Sequence, residues 1–140
     1  MLAAGEAGSC LDDALGASRV WTADCNYFRH DGWRSTNATV VGGYTYWKLR
    51  SQDGRCLGVA GASTKSGAAL AVGNCTSTKD HSQLWRASSV SGTRYLLVNA
   101  HSGKCAGTKG SQTYIGVQVV QGNCYKGPGS TQIWYSRKSR

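Results

Sequence analysis

Residues 54–85 recur without a gap 49 positions further along the chain. Gly54, Cys56, Gly58 and Gly61 fall on Gly103, Cys105, Gly107 and Gly110. Thr64, Gly67, Gly73, Asn74 and Cys75 fall on Thr113, Gly116, Gly122, Asn123 and Cys124. Gln83 and Trp85 fall on Gln132 and Trp134, and Tyr46, ahead of the block, falls on Tyr95. A fixed period of this size signals a repeat architecture, in which one unit cannot bury its own apolar face and neighbouring units must close on one another.

A third copy is legible at the start. Gly8-Ser9-Cys10 repeats the Gly-x-Cys opening, Cys25-Asn26 is its second cysteine, and Asp31-Gly32-Trp33-Arg34 stands where the other copies have Gln-x-Trp. This copy is shorter between its cysteines and again before its Trp. The three repeats cover about 1–45, 46–94 and 95–140, and at 140 residues they are expected to form a single domain.

The six cysteines fall two per repeat, in register. Repeat symmetry selects the pairing Cys10–Cys25, Cys56–Cys75 and Cys105–Cys124, each closing a short loop, and such usage points to an oxidising compartment. No C-x-x-C pair is present and His30, His81 and His101 lie in different contexts, so no metal site is expected. No apolar run is long enough to cross a bilayer. The N-terminus lacks the basic and long apolar regions of a signal peptide and is expected to begin a processed chain.

Net charge is +9 but uneven. Residues 1–45 hold three basic side chains against five acidic ones, whereas residues 46–140 hold 13 basic side chains against Asp53 and Asp80 alone. That asymmetry suggests different partners for different lobes, with a plain solubility surface as the alternative. The basic residues are scattered through loops without a nucleic-acid-binding motif, so no nucleic-acid partner is expected.

No segment keeps a helical apolar stripe for three turns. Short apolar or alternating runs dominate instead, at 44–49, 69–72, 83–85, 95–98, 114–120 and 132–135, separated by Gly and Ser/Thr/Asn/Asp clusters. These read as short strands with tight turns, about four per repeat. Trp33, Trp85 and Trp134 are expected to fill a shared core. Gln83 and Gln132 beside them are expected to satisfy backbone polar groups. The chain is therefore read as all-β, with about twelve short strands.

Three repeats of this length, each with Gly-x-Cys, a second Cys and a closing Gln-x-Trp, resemble the ricin-type β-trefoil lectin family. The match is close over 46–134 and looser over 8–45. The resemblance implies a β-trefoil of three pseudo-symmetric repeats, disulfides within each repeat, and up to three shallow sugar sites. It also implies where each site would sit: a carboxylate two residues after the first cysteine, an aromatic platform two residues before the second, and a polar residue ahead of the Gln.

On that template the second repeat has Gly58 and Gly73, and the third has Gly107 and Gly122, so both are expected to be inactive in the ordinary mode. Tyr114 and Tyr125 are read as strand or loop packing rather than a substitute platform. The first repeat keeps Asp12 at the carboxylate position. Its platform position is Ala23, but Trp21 lies two residues earlier and shares a strand face with it. Asp12, Trp21, His30 and Asp31 form the candidate carbohydrate pocket, with a core Trp21 and solvated aspartates as the alternative.

The leading expectation is a secreted, non-catalytic carbohydrate-binding module, free-standing or targeting a toxin or hydrolase. By resemblance its glycan would be galactose- or xylose-like, and no cofactor is expected. The second expectation is a protein-interaction subunit, such as a toxin-complex component or protease inhibitor. Its partner would meet the basic face or a short first strand that leaves a sheet edge open. The aromatic run 44–47 is an insertion relative to the third repeat and is expected to be partly exposed. Asn37 and Asn74 head glycosylation-type tripeptides. Glu6 is the only glutamate and no paired carboxylates or nucleophile elbow can be argued, so catalysis is the weakest reading.

Overall fold

The computed structural model describes residues 2–5, 9–12, 18–24, 33–113 and 115–137. These form twelve strands and three single-turn 3-10 segments, with no α-helix among the described residues. The strands come in three quartets. The first is β1 (Leu2–Gly5), β2 (Ser9–Asp12), β3 (Trp21–Asp24) and β4 (Trp33–Val41). The second is β5 (Tyr44–Ser51), β6 (Cys56–Val59), β7 (Leu70–Gly73) and β8 (Trp85–Ser91). The third is β9 (Arg94–Asn99), β10 (Cys105–Thr108), β11 (Val119–Gly122) and β12 (Ile133–Arg137).

The outer strands of each quartet build a barrel through antiparallel ladders β4–β5, β5–β8, β8–β9, β9–β12 and β12–β1. The inner strands pair as hairpins β2–β3, β6–β7 and β10–β11. Three bridges, Arg19↔Ala71, Ala69↔Val120 and Trp21↔Gln118, join the hairpins to one another about a pseudo-threefold axis. This is a β-trefoil. The first strand is short but present: β1 pairs with β12 over four positions, so that edge is occupied rather than open.

The repeat symmetry extends to individual hydrogen bonds. Trp33, Trp85 and Trp134 are buried, and their indole Nε1 atoms donate to the carbonyls of Leu11, Leu57 and Ala106 at 2.9, 3.0 and 3.0 Å. Each carbonyl belongs to the residue after the first cysteine, so one ring both fills the core and ties the fourth strand of its repeat to the second. Val20, Leu70 and Val119 complete an apolar layer with Leu11, Leu57 and Ala106. Gly61 and Gly110 both adopt φ 63°, a left-handed turn that an L side chain resists.

Cys56–Cys75 and Cys105–Cys124 are disulfides, each with a Cα–Cα distance of 5.0 Å. Cys10 is also disulfide-bonded, while Cys25 lies outside the described residues. Two elements differ from the apolar-run reading. Gln83 falls in the 3-10 turn His81–Gln83 rather than in a strand, because the Asp80 side chain accepts from the Ser82 N–H and caps that turn. The polar stretches Trp33–Val41 and Trp85–Ser91 are long strands, since their burial pattern keeps one face in water.

Candidate functional site

The ladder registers fix which positions correspond. Cys10, Cys56 and Cys105 lie opposite Ala23, Gly73 and Gly122, and Asp12, Gly58 and Gly107 lie opposite Trp21, Ala71 and Val120. In the second and third repeats the second strand thus presents its Cys+2 residue beside the segment that leads into the fourth strand.

In the third repeat that position has no room for a Cβ unless a neighbour moves, and in the second it is tight. A Cβ on Gly107 would lie 2.6 Å from Gln132 Cγ and 3.4 Å from the Thr131 carbonyl oxygen. A Cβ on Gly58 would lie 3.0 Å from Gln83 Cγ and 3.3 Å from the Ser82 carbonyl oxygen. Contacts below 3.0 Å demand movement of the neighbour. Both glutamines are pinned. Gln132 Oε1 accepts from the Tyr125 N–H at 2.7 Å, and its Nε2 donates to the Asn123 carbonyl at 3.0 Å. Gln83 Oε1 accepts from Thr76 N–H and Oγ1, both at 2.9 Å, and from Lys48 Nζ at 3.2 Å. Its Nε2 donates to the Asn74 carbonyl at 2.9 Å. The glutamine therefore occupies the space a carboxylate would need.

Shallow clefts remain beside both glycines. The third-repeat cleft includes Gly107, Gln132 and Tyr125. Tyr125 is tied into its own loop: its ring packs on Gly127, and its hydroxyl donates to the Pro128 carbonyl at 2.8 Å. Tyr114 lies outside the described residues. The second-repeat cleft contains Asp80 and Arg19, neither visible as a site residue in the sequence. Asp80 accepts from Ser82 N–H and Oγ and from Thr76 Oγ1, and these bonds hold its carboxyl below the ordinary 3.8. Among the described residues no aromatic side chain lines that cleft.

The first repeat is built differently. Asp12 and Trp21 are direct cross-strand partners, so their side chains leave the hairpin on the same face. Trp21 is 37% exposed and Asp12 is 4% exposed. The alternative of a core tryptophan beside a solvated aspartate is the reverse of this arrangement. Trp21 borders a cleft whose other wall comes from the third repeat and includes Lys109, Gln112 and Gln118. Those three residues escaped the sequence reading because they lie about 90 positions from Trp21. Their only sequence signal was their place in the third hairpin, the neighbour of the first in a closed trefoil. His30 and Asp31 lie outside the described residues.

Among the described residues no group of three or more His, Cys, Asp or Glu is placed to hold a metal ion, and no helix is long and apolar enough to cross a membrane.

The family model for a ricin-type β-trefoil lectin domain-like unit matches residues 29–122 and 81–140. The designed threefold-symmetric protein ThreeFoil superposes with a TM-score of 0.82 at 25% identity, over 96% of this chain and 94% of its own. An exo-β-1,3-galactanase from Clostridium thermocellum gives 0.81 at 23% identity, over 96% of this chain but 29% of its own. The Polyporus squamosus lectin, solved with the epitope Neu5Acα2-6Galβ1-4GlcNAc, gives 0.73 at 17% identity, over 95% of this chain and 46% of its own. No curated protein gives a sequence match.

Proposed function

Because the chain belongs to the ricin-type β-trefoil lectin-like family, we propose that it is a non-catalytic carbohydrate-binding domain that works outside the cell, with its one ordinary sugar site in the first repeat. The observation that carries this reading is the half-exposed Trp21, which borders a cleft together with Gln112 and Gln118 and has the buried Asp12 as its cross-strand partner. A sugar ring needs a flat apolar surface for its C–H face and polar groups that read its hydroxyls. Trp21 supplies the first and the amides of Gln112 and Gln118 supply the second, with Asp12 buried beside the Trp21 ring.

The filled Gly58 and Gly107 positions support a single ordinary site rather than three. The galactanase and the sialyl-galactoside-bound lectin among the structural neighbours favour a galactose-containing glycan, and the family resemblance keeps xylose-like sugars as the other candidate. The disulfides support an extracellular setting. Isothermal titration with galactose- and xylose-containing oligosaccharides, on the unmodified protein and on Trp21→Ala, tests the assignment. At least a tenfold loss of affinity in the variant, with unchanged melting, supports it. Equal affinity removes Trp21 from the site.

A further inference from the structure

The barrel end away from the three hairpins holds a further cleft, of about 550 Å³. Its floor is core: Leu49, Trp85 and Leu97. Its rim is the long β4–β5 hairpin, which carries the aromatic run 44–47, and the turn joining β8 to β9. Tyr44 and Trp47 stand on this rim 55% and 40% exposed. Arg86 lines the same cleft, its guanidinium carbon 4.1 Å from the centroid of the Tyr44 ring and 5.9 Å from that of Tyr46. This stacking holds the guanidinium plane in place without consuming its hydrogen-bond donors. Arg86 makes no hydrogen bond or ion pair among the described residues, and its Nε is enclosed without an acceptor.

Among the described residues no acidic side chain lines this cleft. The two carboxylates of residues 46–140 are committed elsewhere. Asp53 pairs with Arg55 at 3.0 Å and accepts from Ser51, and Asp80 is bound by Ser82 and Thr76. An oriented arginine with no counter-charge among the described residues, in a cleft with two exposed aromatic side chains, fits one kind of guest. The guest has a flat C–H face for the rings and an oxyanion that can take two parallel N–H bonds. The cleft volume is in the range of small-ligand sites, roughly 300–1,000 Å³.

We propose that this end of the barrel is a second carbohydrate site, for a saccharide bearing a carboxylate or sulfate group, with Arg86 binding the anion and Tyr44 and Trp47 stacking on the ring. It is separate from the first-repeat pocket and does not depend on Asp12 or Trp21.

The test is calorimetric titration with three probes: a tetragalacturonate (carboxylate), a κ-carrageenan tetrasaccharide (sulfate) and a neutral galactotetraose. At least one anionic probe is expected to bind the unmodified protein. Arg86→Gln is expected to weaken that binding tenfold or more, and Arg86→Lys to restore only part of it, since a lysine cannot offer the planar fork. Tyr44→Ala alters an exposed ring without opening the core and is expected to weaken the same binding several-fold. Trp21→Ala is expected to leave it unchanged. Binding of the carboxylate probe alone or the sulfate probe alone supports the site and names its anion. The proposal is overturned if neither anionic probe binds at millimolar concentration. It is equally overturned if binding persists undiminished in both Arg86→Gln and Tyr44→Ala, which would place the anion on the general basic surface.

Discussion

Substituting Gly107 by alanine tests why two repeats lack an ordinary sugar site. The position has no left-handed backbone angle, so alanine is not strained by conformation, and the cost in the folded state comes from space. The added Cβ would sit 2.6 Å from Gln132 Cγ, about 1 Å inside carbon–carbon contact. Gln132 must swing away and lose the bonds to Tyr125 N–H and the Asn123 carbonyl. Each is worth about 1 kcal/mol at this partly exposed site. Alanine returns roughly 0.5 kcal/mol by restricting the unfolded chain. The net cost is about 1.5 kcal/mol, or roughly 4–6 °C in melting temperature for a chain of this size. Urea denaturation under non-reducing conditions measures it. Gly73→Ala is the control, since a Cβ there meets nothing within 4 Å, and it is expected to stay within about 0.5 kcal/mol of the parent. In a Gln132→Ala background the obstacle is gone, and Gly107→Ala is expected to cost nothing further. A Gly107→Ala variant as stable as the parent, or equally costly in both backgrounds, would refute the reasoning.

Other perturbations follow from the same contacts. Lys48 is only 2% exposed, and burial lowers its pKa from 10.5. The folded state therefore releases this proton before the unfolded chain does, so stability rises with pH through the window ending near 10.5. Lys48→Leu, which copies Leu97 of the third repeat, is expected to remove that slope and to raise stability near neutrality by about 1 kcal/mol; a lower midpoint in urea would contradict this. Asp80 has its carboxyl lowered from 3.8 by the Ser82 and Thr76 hydroxyls. Its contribution is complete above 3.8 and is lost as pH falls below it, so Asp80→Asn is expected to flatten the acid limb of a stability-against-pH curve. Replacing Cys56 and Cys75 together by alanine opens a loop of sequence separation 19 and is expected to cost on the order of 3 kcal/mol in urea denaturation.

The topology was legible because the repeat is carried by residues with strict local duties. Gly61 and Gly110 take the same left-handed turn, and the three Trp indoles bond to equivalent carbonyls. Residues that serve one geometry in every copy leave a period that can be read without coordinates. The sites were less legible because they depend on what faces a residue across the fold. Sequence pairs glycine with glutamine in two repeats and Asp12 with Asp31 in the first, but only the 2.6 and 3.0 Å distances show that Gly107 and Gly58 are coupled to their glutamines through space. Lys48 sits in an alternating run where a charge reads as solvent-facing, yet it lies inside and reaches Gln83. The wall opposite Trp21 comes from the third repeat, and Arg86 meets Tyr44 across 42 positions of sequence. Such contacts leave no trace in spacing.

The measurement that bears most directly on the account is a glycan array run with the parent protein, Asp12→Asn and Trp21→Ala, at low and high salt, with melting temperatures recorded for all three. The account expects neutral, galactose- or xylose-containing glycans to be bound by the parent, retained in high salt, and lost from both variants without a matching loss of stability. An array with no glycan bound, or neutral glycans held equally by all three proteins, would contradict a first-repeat sugar site.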